Sequence, residues 1–173
     1  MTSPSVASAA AVMMRATVPL VLAIPNPPKP PKPAPQEQFK ALDRTLPFDG
    51  PEAIDPGVLE CFEYEYADSR IGQSAEIVTT TDEFTSVCPF SGLPDFARIT
   101  IVYTPDRLCI ELRSLKYYLM SYRNVGIWYE HLVNRMLGDL VNACKPRKMK
   151  VIVACHPRGG LASTVTAEYT KGD

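Results

Sequence analysis

"FARITIVYTP", residues 96–105, sets Ala97, Ile99, Ile101 and Tyr103 on one side of the chain and Arg98 and Thr100 on the other. Such two-residue alternation is the signature of a strand with one face buried and one face wet. Pro105-Asp106 reads as a turn. Beyond it "LCIELRS" (108–114) alternates again, with Leu108, Ile110 and Leu112 opposed to Glu111 and Arg113. Two alternating runs across a short turn predict an antiparallel hairpin. Upstream, "CFEYEYA" (61–67) alternates aromatic and acidic residues, and "SAEIVTTTDEFTSVC" (74–88) is rich in β-branched residues. Both are expected to be strands.

After Ser114 the period changes. "SLKYYLMSYRN" is expected to form a short helix with Ser114 as its cap. "GIWYEHLVNRMLGDLVNAC" (126–144) repeats Val133, Leu137, Leu140, Val141 and Cys144 at three- and four-residue steps, so a longer helix follows. "KPRK" ends it. "MKVIVAC" (149–155) and "LASTVTAEY" (161–169) return to strand around the turn "HPRGG". Strands, two helices and two strands make an α+β fold, its helices segregated from a largely antiparallel sheet. A small sheet covered on one side leaves edges open, which predicts a homo-oligomer.

The chain has 173 residues and a formal net charge of −1, which favours one domain with a substantial core and gives no support for a broad nucleic-acid surface. Five cysteines at irregular spacing and two histidines argue against a disulfide framework or a Cys/His metal cluster. No P-loop or GxGxxG occurs. Residues 1–50 are set apart as an Ala/Pro-rich extension, ahead of a single domain at 51–173. Its apolar run "ATVPLVLAI" is too short to cross a bilayer as a helix. A secretory signal and a transit segment are alternatives to an unstructured tail or a misassigned start.

The chemistry concentrates at "FTSVCPFSGLPDF". Cys88 closes one strand, Asp95 opens the next, and "PFSGLP" between them can fold back to bring thiol and carboxyl together. A thiol of lowered pKa is a nucleophile and an adjacent acid can donate a proton; the plainer alternative is a small buried hydrophobe. Glu111 and Glu130 are potential acceptors for ring and amino NH groups, or a solvated strand residue and a first-turn helix acid respectively. Arg113 and Lys116 lie near a strand–helix junction where a phosphate could sit, as does Arg158 beside Gly159-Gly160, or each is an ordinary surface charge. Trp128 and Tyr129 can stack on a flat ring or pack into a core.

"EFTSVCPFSGLPDFARI", "IELRSLKYYLMSYRNVGIWYEH" and "PRGG", in that order across residues 58–171, resemble the short, unimodular nitrile reductases, which are NADPH-dependent 7-cyano-7-deazaguanine reductases. The resemblance implies the tunnelling fold (T-fold): a four-stranded antiparallel sheet with two helices on one face, protomers closed into rings, and rings stacked as a decamer with sites between protomers. It implies that Cys88 is the nucleophile, adding to the nitrile to form a thioimide, and that Asp95 is the proton donor. Glu130 matches the residue that holds the deazaguanine NH groups, with Tyr129 beside it, and Ile110, Glu111 and Leu112 match the base-pocket lining. The cofactor motif reads Glu111-Leu112-Arg113-Ser114-Leu115-Lys116-Tyr117, implying that Arg113, Lys116 and Arg158 bind NADPH. Two residues depart from the pattern: Arg113 stands where lysine is usual, and Tyr129 where some members place histidine.

The implied activity is a cytoplasmic four-electron reduction supplying the precursor of the tRNA base queuosine. Its partners are the small-molecule substrate and further copies of the chain, with no metal, no direct nucleic-acid contact and no membrane. Two rivals stand beside it: an amidinotransferase-like relative that adds ammonia to the thioimide, and a non-catalytic purine- or pterin-binding scaffold of the same fold.

Overall fold

The computed structural model describes residues 46–67 and 75–172. The N-terminal extension up to residue 45, and Ser74 at the start of an expected strand, lie outside the described residues.

The elements are β1 (Cys61–Glu63), β2 (Ile77–Val87), β3 (Pro94–Thr104), β4 (Leu108–Ile110), α1 (Leu112–Met120), α2 (Tyr129–Cys144), β5 (Lys148–Cys155) and β6 (Thr164–Thr170). β2, β3, β5 and β6 form one four-stranded antiparallel sheet in that spatial order, leaving β2 and β6 as its two edges within the chain. The alternation in β3 is realised: Ala97, Ile99, Ile101 and Tyr103 are buried. On β5 the matching row is Met149, Val151, Val153 and Cys155. Both rows meet Leu132, Val133, Met136, Leu140 and Cys144 of α2 in one core. Leu137 and Val141 flank that stripe at half-burial.

The expected hairpin does not form. The chain does turn at Asp106, but β4 leaves the sheet and pairs with β1 in a separate two-stranded ladder. β5 takes the place beside β3, pairing with it from Ala97↔Cys155 to Thr104↔Lys148. Eight continuous pairs with a matched apolar face outweigh the three that Leu108–Ile110 can offer. The Tyr103 hydroxyl accepts the Ile110 N–H at 3.0 Å, which holds β4 across the end of the sheet.

Three further elements differ from their expected bounds. Strand β1 ends at Glu63 rather than reaching Ala67. Helix α1 begins at Leu112, so "LCIELRS" is strand only to Ile110, and its cap is Glu111 rather than Ser114. Both Glu111 carboxylate oxygens accept amides of the first turn, from Arg113 at 2.9 Å and from Ser114 at 2.7 Å. Two amides answered by one charged group displace the single bond Ser114 could offer as a cap, and the Ser114 hydroxyl instead donates to the Glu111 carbonyl at 2.8 Å. Helix α2 starts at Tyr129, three residues later than expected, and ends on Lys145 in the left-handed region (φ 45°) before Pro146.

β2 contains the irregularity that aims the site. Its register with β3 slips between Thr81 and Phe84, so Asp82 and Glu83 share the place opposite Arg98. The bulge switches the inward positions from odd to even numbers: Ile77, Thr79 and Thr81 oppose buried β3 residues before it, Phe84 and Ser86 after it. Ser86 then lies directly opposite Asp95, and Cys88, two positions on, is buried on the same side.

Candidate active site

Cys88 sits at the first bend after β2. The turn "PFSGLP" closes on itself, the Gly92 N–H donating to the Cys88 carbonyl at 2.8 Å and the Cys88 N–H to the Leu93 carbonyl at 2.9 Å. Gly92 has φ +67°, a conformation glycine adopts at little cost. This fold-back points the amides of Phe90 and Ser91 and the Ser91 hydroxyl at the sulfur, joined by the Arg158 guanidinium. Burial pushes the Cys88 thiol up, but these donors outweigh it and the net pKa lies below the ordinary thiol value.

Asp95, the second residue of β3, is only 3% exposed. Burial pushes its carboxyl up; the Arg158 charge and the Tyr129 hydroxyl oppose this without cancelling it, so the group holds its proton more readily than a free aspartic acid. Arg158 forms an ion pair with Asp95 and lies over the Tyr129 ring, 5.8 Å from its centroid. It is carried by the β5–β6 turn, where Gly159 and Gly160 both take positive φ and Arg158 bridges to Leu161. The Tyr129 hydroxyl is buried between Asp95 and Cys155, and its pKa is raised first by that burial and then by the Asp95 charge. Glu130 follows in the exposed first turn of α2, where the helix dipole favours a carboxylate.

The expected residues therefore fall into two groups. Cys88, Asp95, Tyr129 and Arg158 converge at one end of the sheet, with Glu130 alongside. Ile110, Glu111 and Leu112 line a different cleft of about 490 Å³, together with Phe62, Val78 and Cys109. Lys116 lies in an adjoining cleft of about 360 Å³ between α1 and the β2 edge, which shares Leu112 and Leu115 with the first. Arg113 is exposed beside them. Neither cleft is lined by Cys88 or Asp95.

Three contributors were not picked out from the sequence, and a fourth, Arg158, was expected in another role. Ser91 and the two turn amides act through a fold-back that only the closed turn reveals. Arg158 was expected at a cofactor but stands between the thiol and the acid. Cys155 reaches the site because it pairs with Ala97, two residues from Asp95. Arg123 lines the α1 cleft with Lys116, and neither side chain has an acidic partner among the described residues. The signal for Arg123 was its place about two helical turns beyond Lys116 in the run "SLKYYLMSYRN".

A thiol of lowered pKa beside a proton-holding carboxyl is the arrangement of a thiol-dependent enzyme that attacks an electrophilic carbon. The family described as QueF-like protein matches residues 94–173. The NADPH-dependent 7-cyano-7-deazaguanine reductase of Chlorobaculum tepidum is 51% identical over 114 residues, covering 66% of this chain and 94% of that one. The protein of the same name from Caldicellulosiruptor bescii is 48% identical over 132 residues, covering 76% of this chain and 98% of its own. Among solved structures, the archaeosine synthase QueF-Like in its apo form superposes with a TM-score of 0.51 at 26% identity, over 58% of this chain and 96% of that one. This chain belongs to the NADPH-dependent 7-cyano-7-deazaguanine reductase family.

Proposed function

We propose that the protein reduces the nitrile of 7-cyano-7-deazaguanine to the aminomethyl group, consuming two NADPH and two protons per amine, in queuosine biosynthesis. The observation that carries this is the activated Cys88 thiol beside the buried Asp95 carboxyl, whose pKa is raised by burial, in a chain about half identical to reductases of that name. The Cys88 thiolate forms a C–S bond to the nitrile carbon, and the displaced π pair takes a proton from Asp95 at nitrogen, giving a thioimide. NADPH, when bound, supplies the hydride for each of the two reductions. Between them the C–S bond breaks, the pair returns to sulfur and an imine remains. Arg158 holds the sulfur as thiolate before addition and after release. Glu130 accepts the ring and amino NH groups of the base, and Tyr129 flanks it.

Lys116 and Arg123, without an acidic partner among the described residues, lie over an apolar cleft and fit a dinucleotide phosphate and its adjoining rings, and Arg113 extends that positive surface. These side chains hold the cofactor. The separation of the base-lining segment Ile110–Leu112 from Cys88 within one chain supports a site completed by a neighbouring protomer. We infer that β2 and β6, both edges within the chain, pair between protomers to close a ring, and that two rings stack as a decamer. Phe90, Leu93, Phe96 and Leu161 are more than half exposed around the site, as an interface requires. Among the described residues no helix is long and apolar enough to cross a membrane. We place the reaction in the cytoplasm, where five free thiols and a free-base substrate are at home.

The test is NADPH oxidation by the full chain with 7-cyano-7-deazaguanine, the product identified by mass and Cys88→Ala as control. Two NADPH per amine, lost in the variant, is the expected result. Untouched NADPH with a substrate-sized mass on Cys88 moves the protein to the ammonia-adding class. No turnover and no adduct in folded protein leaves a binding scaffold.

A further inference from the structure

We propose that residues 46–50 form a strap that positions the Cys88 thiol. The inference rests on the reading of Cys88 as nucleophile and assigns a role to a segment that precedes the domain as read from the sequence.

The strap completes a three-row ladder. Its Asp49 N–H donates to the Asn124 carbonyl at 2.8 Å, and the Gly126 N–H donates to the Asp49 carbonyl at 2.9 Å. On the other side of the same segment, the Val87 N–H donates to the Val125 carbonyl at 2.9 Å and the Ile127 N–H to the Val87 carbonyl at 3.2 Å. Asp49, residues 125–126 and Val87 thus lie side by side through two parallel bridges, and Val87 immediately precedes Cys88. A side-chain bond, Asn124 Nδ2 to Asp49 Oδ2 at 2.8 Å, pins the outer row. The Phe48 ring fills the space a side chain at Gly126 would need: a Cβ there would come within 2.3 Å of it.

The same strap touches the other side of the nucleophile turn. A Cβ at Gly92 would lie 3.3 Å from the Leu46 carbonyl oxygen, so Leu46 runs directly against the residue whose N–H closes the turn. Within one chain the turn has little packing of its own, Phe90 being 88% exposed and Leu93 56%. A loop with few buried contacts opens at low free energy unless something lies against it. Here the strap braces it at both ends, and the amides of Phe90 and Ser91 that hold the thiolate depend on the turn staying closed. The charged and titratable groups facing the sulfur are Arg158, with Asp95, Tyr129 and Cys155 behind it; among the described residues none is hydrogen-bonded or ion-paired to the strap, so strap variants remove no bond to them.

The experiment uses the full chain with Phe48→Ala/Asp49→Ala and, separately, Asp49→Asn, which keeps an acceptor for Asn124. Cys88 alkylation by iodoacetamide is followed against pH, and hydrogen exchange is read across residues 88–93. The double variant is expected to move the alkylation midpoint upward by about half a pH unit, to speed exchange in the turn and to slow nitrile adduct formation severalfold, with Asp49→Asn near wild type. An unchanged midpoint and unchanged exchange overturn the strap, whatever the nitrile does. Failure of wild type to form any adduct instead removes the nucleophile reading, and it is recorded separately. Should the double variant not fold, Asn124→Ala keeps Phe48 and the backbone ladder and carries the same readouts, with a smaller rise expected and no rise overturning the proposal.

Discussion

Arg158 and Arg113 are the same residue in two differently built regions. At the Cys88 end, one guanidinium meets a sulfur, a carboxylate and an aromatic face, and each of those partners is itself buried or fixed by backbone. At the α1 end, Arg113 contributes its backbone N–H to the Glu111 cap while its side chain stands in solvent. The contrast separates two tasks. Bond making needs groups whose protonation and direction are set before substrate arrives, and a single chain sets them. Cofactor and base binding can draw on open cations and apolar walls that the ligand, or a second protomer, organises. Substitutions should therefore be costly where geometry is fixed and mild where it is not.

Asp95→Asn tests the fixed end most severely. It keeps the shape and removes the proton, so turnover is expected to fall by about 10²- to 10⁴-fold, while mass spectrometry still detects NADPH-independent addition to Cys88 at a reduced rate. The acid's pH behaviour has a definite sign. Its folded-state pKa is raised, chiefly by burial, so the protonated form contributes stability that is full below the unfolded value and fades as pH rises through the folded one. Asn cannot ionise, and the variant should lose less stability than wild type over that window in thermal melts. A variant with wild-type turnover would move the proton to another group and dissolve the distinction between the two ends.

Arg158→Lys asks whether the fork shape matters or only the charge. A lysine ammonium is a point charge and cannot face Cys88, Asp95 and the Tyr129 ring together. The alkylation midpoint of Cys88 is expected to rise by about one pH unit, equivalent to about 1.4 kcal/mol of thiolate stabilisation. Turnover at neutral pH should drop with it, and raising the pH should recover part of the loss. An unmoved midpoint would leave the turn amides as sufficient and reduce Arg158 to a partner of Asp95.

These two ends were not equally legible in the amino-acid sequence. The row Ala97, Ile99, Ile101, Tyr103 could be read because its alternation is local and the core it faces rewards it. The fate of β4 could not, since three alternating residues look alike whether they pair with the preceding strand or with β1, and the choice is made by β5 arriving forty residues later. The bulge at Asp82-Glu83 hides because two adjacent charges look like a strand fraying, yet it is what turns Phe84, Ser86 and Cys88 inward. Cys88 and Asp95 were visible as a pair because seven residues and a turn join them. Arg158 beside them was not, because seventy residues separate it from Cys88 and only the β5–β6 turn brings it back. Glu111 was misplaced for a different reason: a serine three residues on has the stronger intrinsic preference for a cap, and two simultaneous bonds to one carboxylate override it.

The mildest test is the counterpart at the open end, Arg113→Lys. Arg113 sits in the second position of α1 with its side chain exposed, and its charge acts on the nearby Glu111 carboxylate without a direct ion pair among the described residues. Among the described residues nothing hydrogen-bonds its planar fork, so the proposed contribution of Arg113 to NADPH is that of an exposed charge near a phosphate in high dielectric, of the order seen for exposed pairs at about 0.2–1 kcal/mol. Replacing it with lysine keeps the charge. The KM for NADPH should change by less than about threefold, kcat and the Cys88 alkylation midpoint should not move, and salt should weaken NADPH binding alike in both forms. A tenfold rise in KM would mean that a bidentate contact forms only in the assembled enzyme. The open end would then be as geometrically demanding as the Cys88 end, but with its geometry supplied by the neighbouring protomer.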